Sequence, residues 1–159
     1  MEREGAQKVL YLERKVFFVS METLGNTAGI RVEEKKRGGY RSWIHLSSEM
    51  AFWVVDAMEE AMDTSSEKRR WARREGESSF LCEVRDNEAG RYFRISRVRR
   101  GDGPRSYALC IPNGDGNYYW GVLLKEMQRV LKENNQLLED SLRKHLTDRT
   151  FRMFYQRQF

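Results

Sequence analysis

Apolar and polar side chains alternate residue by residue through several stretches of this chain, as in a strand that turns one face to a core. A short strand from Lys8 to Glu13 ends at a turn, Glu13-Arg14, and the next runs from Val16 to Glu22 with Phe17, Val19 and Met21 on one face. The turn residues Gly25-Asn26 precede a strand from Ile30 to about Lys36. Gly38-Gly39 marks another turn, and Trp43 to Leu46 makes a fourth strand. At Ser47 or Ser48 the period changes. A serine there caps a helix to about Met62, with Trp53, Met58 and Met62 among its apolar positions. The order is β-β-β-β-α.

That order returns in the second half. Phe80, Cys82 and Val84 share a strand face, Gly90 to Val98 and Ser106 to Ile111 give two more strands, and a helix starts near Asn117. The opening strand of this copy would span Arg69 to Glu75. It lies in a stretch, residues 63–77, whose Lys68, Arg69, Arg70, Arg73 and Arg74 read equally well as a solvated linker. Matching residues point to an internal duplication. Glu22, Asn26 and Ala28-Gly29 match Glu83, Asn87 and Ala89-Gly90 at an offset of 61. Arg41-Ser42-Trp43 matches Arg105-Ser106-Tyr107 at 64, and Phe52-Trp53 with Val55 matches Tyr119-Trp120 with Val122 at 67. Each growth of the offset falls in a glycine-rich turn, where a duplicated fold tolerates insertion.

The expected fold is therefore α+β: two tandem β-β-β-β-α repeats packed into one domain, with an extended C-terminal helix. The first repeat covers 7–62, the basic linker or strand 63–77, the second repeat 78–133, and a helical extension with a basic-aromatic tail 134–159. The stripe Leu123, Met127, Val130, Leu131, Asn134, Leu137, Leu138 and Leu142 carries the last helix to about Lys144. Its second half has little in the repeat to cover it. That predicts a homodimer through this helix, with Asn134 as the polar residue that sets its register.

Charge sharpens the expectation about partners. Lys and Arg exceed Asp and Glu by 5 in 159 residues, which favours a polyanion. A mean hydropathy of -0.77 describes a very polar surface. Cys82 and Cys110 sit in apolar runs and read as buried thiols; with only His45 and His145 beside them, no zinc cage is expected, nor any other metal or cofactor. The charged N-terminus and the lack of a long apolar run argue against secretion and membrane spanning, and for a reducing nuclear or cytoplasmic setting.

No Gly-x-Gly-x-x-Gly, Gly-Lys-Ser/Thr or His-Glu-x-x-His motif occurs, so a non-enzymatic role is expected. Glu33-Glu34-Lys35 evokes a metal-nuclease strand but lacks a third carboxylate. The informative stretch is Val84 to Arg97. Phe93 and Ile95 share one face of it, while Tyr92, Arg94 and Ser96 share the other. Bases stack on flat rings and guanidinium groups meet phosphates, so such a face suits a single strand. A solvated outer sheet face would show the same pattern.

The run Arg85-Asp86-Asn87-Glu88-Ala89-Gly90-Arg91-Tyr92-Phe93-Arg94-Ile95 resembles the PUR-repeat motif, roughly Lys-Glu-Asn-x-Arg-Gly-Arg-Phe-Leu-Arg-Ile, of the purine-rich-element-binding proteins. Whirly proteins share the repeat architecture. The resemblance implies two intertwined repeats that bind single-stranded DNA or RNA. It makes Arg85 and Arg91 basic contacts, Asn87 a contact to backbone or base, and Tyr92 the stacking ring, with Arg94 on the same face. Ala89 departs from the motif where a basic residue is expected. In the first copy it retains Asn26, puts Arg31 in the place of Tyr92, and leaves Lys8 as a phosphate contact, so the second copy is expected to bind more strongly. The competing expectation is a protein-interaction or dimerisation module whose basic face is merely solvated.

Overall fold

The computed structural model describes residues 7–103 and 106–146. Its elements are β1 (Lys8–Leu12), β2 (Lys15–Leu24), β3 (Thr27–Lys36), β4 (Arg41–Ser47), α1 (Ser48–Met62), β5 (Arg70–Glu75), β6 (Ser78–Asn87), β7 (Gly90–Arg99), β8 (Ser106–Pro112) and α2 (Tyr118–Leu146). They form two four-stranded antiparallel meanders, β1-β2-β3-β4 and β5-β6-β7-β8, each followed by a helix. The basic stretch after α1 thus contains a strand as well as a linker. Ser47 caps α1, its hydroxyl accepting from the Met50 N–H at 3.1 Å.

Alternation decides which side of each sheet is inner. Phe17, Val19, Ile30, Val32, Ile44 and Leu46 are buried on the first sheet, and Phe80, Cys82, Phe93, Ile95, Leu109 and Ile111 on the second. Burial on this scale, at roughly 25 cal/mol per Å² of apolar surface, is the main term holding the sheets to the helices. The two units share that core: α1 touches β3 and β4 of its own sheet and β6 of the other, while α2 lies on β1, β2 and β3 as well as β8. Trp120 from α2 is fully buried; its indole N–H donates to the Ile111 carbonyl at 2.8 Å, and its edge meets the Phe93 ring. Asn134, expected to set the register of a dimer, is spent inside the chain, its amide donating to the Gly29 carbonyl at 3.1 Å. The side chains of Leu137, Leu138 and Leu142, and residues 147–159 of the tail, lie outside the described residues.

Strand β8 ends the second sheet, and its free edge rests on the inner face of the first. The Ala108 carbonyl accepts from the Ser42 hydroxyl at 2.8 Å and the Cys110 carbonyl from Lys15 Nζ at 2.6 Å. The Cys110 N–H donates to Glu34 Oε1 at 3.4 Å, and Lys15 and Glu34 are themselves paired at 2.5 Å. Side chains of one unit thereby satisfy backbone groups that an edge strand would otherwise leave open to pairing.

The strand register corrects the residue matching between the units. Leu24 pairs with Thr27 around Gly25-Asn26, and Asn87 pairs with Gly90 around Glu88-Ala89, so the two turns stand 63 apart rather than 61. In the last strands Val32 pairs with Ile44 and Ile95 with Leu109, which gives 65 in place of 64. Glu22 then corresponds to Arg85, Leu24 to Asn87, Gly29 to Tyr92 and Arg31 to Arg94. The slip of two in β6 and β7 keeps their side chains on the same face, whereas the slip of one in β8 turns them to the other.

Candidate nucleic-acid interface

Three registers fix the outer face of the second sheet. Arg70, Glu83, Arg94 and Cys110 stand in one cross-strand row, and Arg85, Tyr92 and Pro112 in the next. Arg74 shares the face through its pairing with Ser79. Phe93 and Ile95 are buried beneath, as their alternation with Tyr92 and Arg94 predicts. Four arginines (Arg70, Arg74, Arg85 and Arg94) thus face outward with a single carboxylate, Glu83, which lies 3.6 Å from Arg70 and 3.5 Å from Arg94. Arg85 is exposed, and Tyr92 half-buried.

Beside Tyr92 the surface falls into a groove of about 790 Å³. One wall is the second unit: Asn87, Ala89, Gly90, Arg91, Tyr92 and Pro112. The other is the first unit, with Glu13, Arg14 and Lys15 from the β1–β2 turn and Lys36 from the end of β3. Lys15 and Lys36 are directly cross-strand. Gly90 opens β7 at φ 125, a conformation that suits glycine alone, and the Asn87 side chain closes the turn by accepting from the Ala89 N–H at 2.9 Å. Asp86 pairs with Arg69 at 2.6 Å and with Arg91 at 3.3 Å. Hydrogen bonds from Arg69 and then Arg91 hold its carboxyl below the ordinary value of 3.8. On the floor, burial and then the Glu34 carboxylate push the Cys110 thiol up, against the pull of Lys15, Arg94 and Lys36. Cys82 is raised by burial in the core. Neither environment favours a reactive thiolate.

The structure brings together Asn87, Arg91 and Tyr92 in the groove, with Arg85 and Arg94 on the adjoining face. The first-unit candidates stand elsewhere. Lys8 faces α2 and lies 3.7 Å from Glu126. Asn26 occupies the turn at the far end of β2 and β3 from Lys15 and Lys36, roughly 30 Å by strand rise. Arg31 is on the outer face of the first sheet, between Glu22 at 3.7 Å and Glu33 at 3.5 Å, and corresponds to Arg94 rather than Tyr92. No ring can occupy the first-unit equivalent of Tyr92: a Cβ on Gly29 would sit 2.1 Å from the Leu46 carbonyl oxygen. Glu33 and Glu34 point to opposite faces, Glu33 to Arg41 outside and Glu34 to Lys15 inside, so they cannot share one metal ion. Among the described residues no cluster of His, Cys, Asp and Glu could hold a metal, and no helix is long and apolar enough to cross a membrane.

Arg14, Lys15 and Lys36 are the contributors that sequence reasoning missed. Each is an ordinary basic residue in a turn or at a strand end, and only the packing of one unit on the other brings it to the motif.

No protein-family model matches the chain, and no curated protein matches it. Among solved structures it is similar to WHY3 from Arabidopsis thaliana, at 12% identity over 93% of this chain and 98% of that one, with a TM-score of 0.45. WHY1 from Arabidopsis thaliana matches at 12% identity over 93% and 96%, with a TM-score of 0.46. The plant transcriptional regulator PBF-2 matches at 10% identity over 82% of each chain, with a TM-score of 0.43.

Proposed function

We propose that the chain binds unpaired DNA or RNA through the outer face of its second sheet and the groove beside it. The observation that carries this reading is the convergence of Asn87, Arg91 and Tyr92 with Arg14, Lys15 and Lys36 around one groove. Its volume is within the roughly 300–1,000 Å³ of small-ligand sites, enough to admit a base beside the tyrosine. Tyr92 supplies the stacking ring, Asn87 the polar edge, and Arg85, Arg91 and Arg94 the phosphate contacts. The resemblance of residues 85–95 to the PUR motif supports the same roles and suggests a preference for purines. The second unit does the binding in this reading. The first has a glutamate, a leucine and a glycine at the motif positions, and lends its lysines to the groove from behind.

The role is binding rather than catalysis, in a nuclear or cytoplasmic setting. The test is fluorescence anisotropy with labelled DNA and RNA oligonucleotides at low and moderate salt. Three or four phosphate contacts would give log K against log salt a slope of about -2 to -3 on a single strand. Absent or salt-insensitive binding would favour a protein-interaction module instead. That second reading draws on β1, an edge strand whose outer face presents Tyr11 at 77% and Val9 at 38% exposure. A homodimer through α2 belongs to it, and sedimentation showing a monomer at high concentration would remove that part.

A further inference from the structure

Away from the groove, the edge strands β4 and β8 meet, and two aromatic rings meet with them. Trp43 and Tyr107 have centroids 5.9 Å apart and planes inclined at 48°. Arg31 Cζ lies 5.0 Å from the centre of the Trp43 ring, and Arg97 Cζ lies 5.0 Å from that of Tyr107. The result is a row of cation, ring, ring and cation running from one sheet to the other. Trp43 is 42% exposed on a strand, whereas Trp71 and Trp120 are buried.

Packing alone leaves this row incomplete. Among the described residues, the buried side-chain nitrogens without a hydrogen-bond partner are Nδ1 and Nε2 of His45 and Nε of Arg97. One belongs to the row itself and two to its immediate neighbour. His45 shares the outer face of β4 with Trp43 and pairs directly across from Arg31, while Arg97 lies on Tyr107. His45 Nδ1 is 3.2 Å from Glu22 Oε1, close enough for an ion pair but not aligned for a hydrogen bond. Buried polar groups left without a protein partner are uncommon, and an ordered water or a ligand that reaches them completes them. Glu22 and Glu33 already offset Arg31, so the ligand must offer a flat aromatic surface, hydrogen-bond acceptors, and negative charge toward Arg97 alone. An unpaired nucleotide offers all three.

We propose that Trp43, Tyr107, His45 and Arg97 form a second station for an unpaired nucleotide, its base on Trp43 and its phosphate at the half-buried Arg97 guanidinium. The proposal rests on the reading of the groove and extends it. Tyr92 is on the outer face of the second sheet and Tyr107 on the inner, so a short strand reaches one station and a long strand both.

The experiment compares the native chain with Trp43→Leu, Trp43→Phe and Tyr92→Ala on strands of about 4 and about 16 nucleotides, the span of single-strand site sizes. Trp43→Leu should weaken the long strand by about fivefold or more, the low end of what one stacked base contributes, and spare the short strand, which the groove holds. Trp43→Phe should restore much of the loss, and Tyr92→Ala should weaken both strands. Photocrosslinking of the native chain to a long strand containing 5-bromodeoxyuridine should mark Trp43 or Tyr107, and this decides the matter if Trp43→Leu does not fold. Native affinity in both Trp43 variants, with crosslinks confined to the groove, would overturn the second station and leave the groove standing. Failure of the native chain to bind any strand would overturn both.

Discussion

Tyr92 stands between Arg85 and Pro112 on the outer sheet face, with Phe93 and Ile95 fixing its strand from below. A ring held on a strand loses little freedom when a base stacks on it. Tyr92→Ala should therefore weaken single-strand binding by about 1–3 kcal/mol, roughly 5- to 150-fold, while Tyr92→Phe retains most of the affinity. Anisotropy titrations check this, and equal affinity for the alanine variant would remove stacking from the account. Asp86 works in the other direction. It neutralises part of Arg69 and Arg91, so Asp86→Asn should raise the affinity for a polyanion. Its carboxyl is held below 3.8, so whatever it adds to stability is complete above that unfolded value and is lost only as pH falls through the lower folded one. The gain from Asp86→Asn should therefore be the same at about pH 5 as at about pH 7. A gain that vanishes at the lower pH would show the carboxylate already protonated and the pairing misjudged.

Between the elements, the contact that positions the groove is the clamp on β8. Glu34 is 1% exposed and meets both Lys15 and the Cys110 N–H. Glu34→Ala would leave a half-buried ammonium without its counter-ion and a backbone donor without its acceptor, at a cost of about 3–5 kcal/mol. Urea melts measure it, and a loss below about 1 kcal/mol would mean the clamp is solvated rather than structural. The strands themselves were legible because period-two alternation marks Phe93 and Ile95 as inner and Tyr92 and Arg94 as outer without knowledge of the fold. The cap at Ser47 was legible for a similar local reason. The correspondence between units was not. Residue identity matches Trp43 to Tyr107, yet Trp43 lies on the outer face of its sheet and Tyr107 on the inner face of the other, and only hydrogen-bond register reveals that shift. Lys15 and Lys36 escaped notice because their role depends on β8 crossing the first sheet, a contact between residues far apart in sequence.

For the molecule as a whole, a net charge of +5 matters less than its placement. The outer face of the second sheet has arginines at Arg70, Arg74, Arg85 and Arg94 against Glu83, whereas on the first sheet Glu22 and Glu33 offset Arg31 and Arg41. A polyanion approaching in low salt should be drawn to the second sheet, and the bias should fade as salt screens it over about 10 Å at 0.1 M. Backbone amide chemical shifts of the labelled chain, followed as a purine-rich single strand of about 4 nucleotides is added, locate the contact without any mutation. The shifts should concentrate at Arg85 to Arg94 and at Lys15 and Lys36, leaving Glu22 to Gly29 unmoved. Shifts centred on the first sheet's outer face or on α2, with residues 85–94 silent, would contradict the assignment of the second sheet as the binding surface.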